Sequence, residues 1–548
     1  TITNFDNIAR SATVTVSTVS YDGLEKNVVS NKITIAPRNK ASFQLQLPLK
    51  KYGYHDVGIK LISGNETWTE QTSLAFLHED TRERGNWEPG KGTCYGAWTW
   101  GGGHGTPSKE KELEILALAG GECIGHTFQD ADETSKKIAE KYGMISLKQF
   151  SGGDHWITSA FASDLTKTTQ QAAVETFLDA LRKSETKPGP LTQTRYVSFY
   201  AEPHLGMLTC GVFPDAYGEP PYVFSQHEEE RFQYFLKGLL VGAPIVKQHW
   251  PNVKIMLPHG DPMFTAVFMR KSEEARKWID GIAVDIPVFE RLPEQQIHQV
   301  SLHRLWVALE ECRKAGKTNM ALPMYEGPCL PSRPGALSQK EFADQLVRCT
   351  IILNAYGIDQ FPGAWGVFEC SGYWGEQHYG GGFMNRMPHE SPKPAYCAHA
   401  TMTRLLNRKN FDGWIPTGSL SVYAVRYKHY KNTNDYAHVF WTIRGKRNVS
   451  LLVPLNTEAV VYDMMDNSTQ LKATNGLISF MIESEPRIVT GLPANVAVHI
   501  QLGEPDHSDS TPSQLAKLVA NPATEKWKIQ REEDKDYQNN SELQIFRI

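Results

Sequence analysis

The chain contains no apolar run approaching the ~18 residues that a membrane-crossing helix needs, so no helical membrane span is expected. It has no surplus of positive charge: 57 Lys and Arg stand against 61 Asp and Glu, a formal net charge of −4, with no long basic run. That balance leaves no electrostatic footprint for nucleic acid or an anionic membrane surface, and neither is expected as a partner. Cysteine is sparse, with eight residues and no CxxC or other ligand spacing. No metal site is expected, and the thiols read as small buried hydrophobes. HExxH, GxSxG and Walker A patterns are missing, which leaves metalloprotease, serine-hydrolase and P-loop chemistry without support. At Thr1 the chain opens on a polar, β-like segment and not on a charged stretch followed by an apolar one, so no export signal is expected within it.

What is present is 548 residues with 40% apolar and 10% aromatic content, ample for more than one core. Residues 1–88 alternate polar and apolar positions, as in Ala12-Thr-Val-Thr-Val-Ser-Thr-Val19 and Ser42-Phe-Gln-Leu-Gln-Leu47, and predict a small β-sandwich. The charged, Gly- and Pro-containing segment Arg82–Gly92 reads as a linker. Over 89–410, short apolar strands alternate with helices of 3.6-residue period about eight times, the rhythm of an α/β fold of (β/α)₈ TIM barrel type. The strands are expected at Cys94–Trp98, Cys123–Phe128, Met144–Gln149, Tyr196–Glu202, Lys254–Pro258, Gly281–Ile286, Asn319–Tyr325 and Gln360–Trp365. A doubly wound open sheet would call for a Gly-rich phosphate turn after the first strand, and Gly101-Gly-Gly-His-Gly-Thr106 fails GxGxxG at its last position. Alternation returns over 411–503, which predicts a C-terminal β-sandwich, and 504–548 is a polar tail.

In such a barrel the reactive groups sit where polar residues close apolar strands. Two glutamates do so. Glu202 ends Tyr196-Val-Ser-Phe-Tyr-Ala-Glu-Pro203 on the fourth strand, and Glu326 ends Met320-Ala-Leu-Pro-Met-Tyr-Glu-Gly-Pro328 on the seventh. Each alone could be a strand-end carboxylate bonded to the next helix N-terminus. As a pair they fit the two carboxyl groups, about 5–5.5 Å apart, of retaining glycoside hydrolysis, one donating a proton and the other attacking the anomeric carbon. Glu202 is the expected acid/base and Glu326 the expected nucleophile.

With Trp365 ending the eighth strand, these motifs resemble clan A glycoside hydrolases, the group that includes β-galactosidases, β-mannosidases and β-xylosidases. The resemblance extends to Ser391-Pro-Lys-Pro-Ala-Tyr-Cys-Ala398, opening the last barrel helix, and to Val461-Tyr-Asp-Met-Met-Asp-Asn467 in the C-terminal sandwich. It implies hydrolysis of β-linked glycosides or oligosaccharides by double displacement, with no cofactor. One position departs: the clan usually places Asn immediately before the acid/base, to meet the sugar 2-hydroxyl, and here Ala201 stands there.

Aromatic faces stack on pyranose rings, so Trp98 and Trp100 after strand one, Tyr325 beside the nucleophile, Trp365, and Trp374 in the loop beyond are expected substrate contacts. Core or loop packing is the plainer reading of each. His104, His126, Gln149, His204 and Glu369 are candidate hydroxyl-binding groups, His204 and Gln149 as substitutes for the missing Asn and Glu369 alternatively as the partner of an Arg. Asp261 before Pro262 reads better as a helix cap than as a ligand. A catalytically inactive carbohydrate-binding barrel, favoured only by Ala201, and an endo-acting, inverting or lyase chemistry are the competing readings. A carbohydrate substrate in turn implies a secreted or periplasmic protein.

Overall fold

The structure is a computed structural model. It describes residues 2–124 without 86 and 104, then 133–146, 196–198, 226–249, 251–257, 262–285, 292–294, 300–326, 337–360, 363, 365–369, 381–386, 389–494, 496 and 500–506. Among these, no helix is long and apolar enough to cross a membrane.

The first residues form a four-stranded antiparallel sheet in the order Lys26–Ile35, Arg10–Ser20, Gly53–Ser63, Glu66–Phe76, with a two-stranded ribbon of Ile2–Thr3 and Lys40–Ala41 beside it. Alternation in Arg10–Ser20 puts Ala12, Val14, Thr18 and Ser20 on the covered face. The first half of edge strand Glu66–Phe76 is exposed throughout, and Glu66 and Glu70 there discourage pairing with another chain. Among the described residues the expected second layer of a sandwich is not a second large sheet: helix Pro394–Leu405 packs against strand Gly53–Ser63.

The parallel segments of the middle region follow one another through a continuous set of pairings. Ile145–Ser146 pairs with Cys123–Ile124, and that with Gly96–Ala97. Cys94 and Trp98 then bridge to Gln360 and Gly366, so the first expected strand lies beside the eighth. Gln360 bridges to Pro323, Val284–Asp285 pairs with Met324–Glu326, Met256 bridges to Gly281, and Lys254–Met256 pairs with Tyr196–Ser198. The spatial order is third, second, first, eighth, seventh, sixth, fifth, fourth. First and eighth strands approach so closely that a Cβ at Gly363 would lie 1.9 Å from the carbonyl oxygen of Gly96, and only glycine fits.

Several boundaries differ from expectation. Pairing of the eighth strand continues past Trp365 through Gly366–Phe368, and there it gains a parallel neighbour, Gly382–Met384, inside a stretch that reads as loop. Met263–Lys271 is a helix buried over nearly its whole surface. Helix Gln226–His249 continues through Pro244. Gln339–Ala355 begins with a capping box: the Ser338 hydroxyl accepts from the Glu341 N–H while the Glu341 carboxylate accepts from the Ser338 N–H.

From Lys409 the chain forms a six-stranded and a three-stranded antiparallel sheet. Val422, Ala424 and Phe440 of one meet Val449, Leu451, Ile478 and Ile482 of the other in a shared core. Its last strand, Ile500–Asp506, pairs with Lys446–Leu452 and so enters the region expected as tail. The turn Asp463–Asn467 ties the units together. Asp463 Oδ1 accepts from the N–H groups of Met465 and Asn467, both 2.9 Å away, Asp466 pairs with Arg404 of helix Pro394–Leu405, and Asn467 Oδ1 accepts from the Tyr52 N–H at 2.9 Å.

Candidate functional site

Because the eight segments run parallel, their C-terminal ends share one rim. Glu326 closes the seventh segment on that rim, its Cα in register with Asp285 at the end of the sixth. The side chains of Glu326 and Tyr325 lie outside the described residues, as do Glu202, beyond Ser198 of the fourth segment, and His104, His126, Gln149, His204 and Trp374. The structure therefore brings together one side of the expected site, around strands one and eight.

There the three tryptophans form a cluster. Trp98 and Trp365 stack with ring centroids 6.1 Å apart and planes 21° from parallel, while Trp100 leans on both at 5.5 and 5.0 Å. Trp98 and Trp365 are buried, 7% and 1% exposed, and Trp365 is among the largest fully buried side chains. Trp100 is the member left half open. The eighth strand is fixed against the first by the Val367 N–H donating to the Trp98 carbonyl at 2.9 Å.

The loop after Trp100 is set from below by a residue the sequence reading passed over. Glu112, in the first turn of helix Lys109–Leu118, is fully buried, and its Oε2 accepts from the Gly101 N–H at 2.8 Å. Burial pushes its carboxyl up to about 7, against the opposing pull of the Gly101 N–H, Thr106 and the Trp100 backbone. In sequence, Glu112 looks like one more charge in Lys109-Glu-Lys-Glu-Leu-Glu114; only the loop that folds over the helix start hides it.

Glu369 follows the eighth strand. Its ion-pair partner is Lys393, not an arginine: the Glu369 carboxylate accepts from the Lys393 ammonium, which is closed off from solvent. Burial lowers the amine's pKa and the Glu369 charge opposes that shift. The Lys393 ammonium also sits 5.4 Å from the centre of the Phe342 ring. Lys393 lies inside the Ser-Pro-Lys-Pro motif that opens helix Pro394–Leu405, with Pro394 in the first turn, where its missing N–H costs nothing. Among the described residues no group of three or more His, Cys, Asp or Glu side chains could hold a metal ion.

No protein-family model and no curated protein matches the chain. In structure, 89% of the chain aligns with 98% of a family 39 glycoside hydrolase from the gut symbiont Bacteroides cellulosilyticus WH2, at a TM-score of 0.60 and 14% identity. A glucosidase from Croceicoccus marinus aligns over 77% of this chain and 98% of its own at a TM-score of 0.45 and 11% identity. For a β-glucuronidase from Bacteroides uniformis the figures are 88%, 55%, 0.39 and 10%. The first of these likenesses establishes a shared fold: over most of its length the chain is folded like a glycoside hydrolase.

Proposed function

We propose that the chain is a retaining β-glycosidase whose parallel segments close into a (β/α)₈ barrel, with Glu326 as nucleophile and Glu202 as acid/base. The observation that carries this reading is the strand order. Neighbouring first and eighth segments are what a ring requires, and only the contact between the third and fourth is still needed to complete it. In that ring Glu326 stands at a strand end on the rim shared with the strand leading to Glu202. The fold shared with a family 39 glycoside hydrolase adds support.

The chemistry follows from two carboxyl groups. Ionised Glu326, positioned by Tyr325, forms a bond to the anomeric carbon as the glycosidic C–O bond breaks, and Glu202 gives its proton to the departing oxygen. Glu202, now ionised, takes a proton from water. The water oxygen displaces Glu326 from the anomeric carbon, releasing the sugar with its configuration retained. Trp100, the half-open member of the tryptophan cluster, is the ring best placed to meet a pyranose face. His104, His126, Gln149, His204 and Trp374 complete the proposed contacts, and a carbohydrate substrate fits a secreted or periplasmic enzyme.

The test is hydrolysis of aryl β-glycosides (galactoside, glucoside, mannoside, xyloside, fucoside, glucuronide) by the wild type, Glu326→Ala and Glu202→Ala. One substrate should be turned over, with a loss of at least ~10³-fold in kcat for Glu326→Ala. Glu202→Ala should lose about 10²–10⁴-fold on poor leaving groups and far less on activated ones. Turnover that survives Glu326→Ala would overturn the mechanism; sugar binding without any turnover would favour a carbohydrate-binding barrel.

A further inference from the structure

At the seam between the N-terminal sheet and the barrel the structure leaves a cleft of about 530 Å³. Its walls come from segments far apart in sequence: Asp56, Gln71 and Thr72 on the sheet, Glu369 just past the eighth strand, and Asn385 and Arg386 in the stretch that follows Gly382–Met384. The seam keeps carboxylates, amides, hydroxyls and a guanidinium around open space.

The polar groups of the lining are tied to one another, and Glu369 is held from behind. Tyr54 Oη donates to Asp56 Oδ1 at 2.8 Å, Asn385 Nδ2 donates to Ser391 Oγ at 3.0 Å, and Glu369 is tethered by buried Lys393 while its own side chain stays 18% exposed. Donors and acceptors fixed in this way suit a ligand whose every hydroxyl both donates and accepts. Lys393 neutralises Glu369, and the lining otherwise carries one carboxylate, Asp56, and one guanidinium, Arg386, so nothing in it demands an ionised ligand. The volume lies within the ~300–1,000 Å³ of small-molecule sites. Glu369 also places the cleft at the barrel end that carries Glu326, since both close parallel strands.

We infer that this cleft is a saccharide subsite, receiving a further neutral pyranose unit of an oligosaccharide whose reacting bond lies at the barrel mouth. The inference rests on the glycosidase reading for the position of the reacting bond, but binding in the cleft needs no turnover.

The two are separated by measuring binding and hydrolysis on the full chain. Binding of cellotetraose, xylotetraose, mannotetraose and galactotetraose is followed by titration calorimetry for the wild type, for Gln71→Trp, which fills the cleft from the sheet face that carries Asp56, and for Gln71→Ala, which only removes a hydrogen-bonding group. Thermal melting of each variant checks its fold. One tetraose should bind, with affinity lowered ~10-fold or more in Gln71→Trp and ~3-fold in Gln71→Ala, while kcat/KM on the aryl monoglycoside is unchanged. Equal binding by the wild type and a folded Gln71→Trp, or no tetraose bound by the wild type, overturns the subsite even where aryl glycosides are hydrolysed. Binding that weakens in both variants without any hydrolysis supports the subsite and sinks the glycosidase reading.

Discussion

The middle α/β region meets its two β units through seams of different character. On the C-terminal side, Val425, Tyr427, Ala437, Val439 and Trp441 of the sandwich belong to the same apolar core as the helices of that region. The polar groups crossing there are buried and paired. Arg348 Nε lies 2.8 Å from Glu294 Oε1, Trp441 Nε1 donates to the same oxygen at 2.8 Å, and Arg348 Nη1 donates to the Ser484 carbonyl at 3.0 Å. On the N-terminal side Tyr21, Tyr54, Ala75 and Leu77 pack half-buried against that core, the Ser73 hydroxyl donates to the Pro392 carbonyl, Lys340 lies over the Tyr21 ring at 4.9 Å, and a polar cleft is left open beside them. A closed seam of buried, paired groups makes the sandwich an extension of the central core. A seam that is apolar in part and gapped in part gives up some of that cohesion and leaves a polar surface open.

The sharpest way to break this contrast is Arg348→Met, which strands the Glu294 charge in the interior. Chemical denaturation should show a loss of about 3–5 kcal/mol, and adding Glu294→Leu should restore much of it. A loss below ~1 kcal/mol would mean that the two seams do not differ in kind.

Next in size is Gly53→Ala at the N-terminal sheet. Gly53 has φ +93°, and a Cβ there would lie 2.4 Å from Met465 Cβ and 2.9 Å from its Cα. The strain and clash should cost about 2–3 kcal/mol, and limited proteolysis should cut the sheet faster while the sandwich stays resistant.

Asp344 makes the C-terminal seam pH-dependent. Burial pushes its carboxyl up to about 6 from an ordinary 3.8, although Lys340, the Ser484 hydroxyl and Arg348 pull the other way. A carboxyl whose pKa is higher in the fold than in the unfolded chain contributes stability below about pH 4 that is lost as pH rises to about 6. Asp344→Asn removes that loss. Its melting temperature should match the wild type near pH 4 and rise above it by pH 7, by the equivalent of about 1–2 kcal/mol. A difference that shrinks with rising pH would contradict the assignment.

The smallest effect belongs to Lys340, which is half exposed and reaches Tyr21 on one side and Glu485 at 3.5 Å on the other. Lys340→Ala should cost less than ~1 kcal/mol. A larger cost would show that this side chain couples the two seams.

The sequence made most of the architecture legible where local signals and tertiary packing agree. The start of Gln339–Ala355 is written in its sequence as the Ser338–Glu341 capping box, and apolar residues repeat along it. For Met263–Lys271 the sequence marks only the start, at Asp261-Pro262, because a helix buried nearly all round loses the polar stripe that reveals period. Trp365 reads as the end of the eighth strand because Gly366 looks like a breaker, yet pairing with Gly382–Met384 carries the strand on to Phe368. At the site, strand-end logic put Glu326 on the rim, whereas Glu112 and Lys393 gave no sign of their burial. A charged residue's partner across the fold is not written in its neighbours, and Glu369 was legible as a polar strand end without its lysine.

Pairing of Cys94 with Gln360 also bears on how the molecule is made. The hydrogen-bonding edge of the first strand cannot be covered until the chain has been synthesised past the eighth, and Tyr52 waits longer still for Asn467. Contacts of such long sequence separation slow folding, and unsatisfied strand edges invite association with other chains. Newly made protein should therefore depend on chaperone protection through most of its translation, and truncation before residue 360 should yield aggregates, not a smaller working unit.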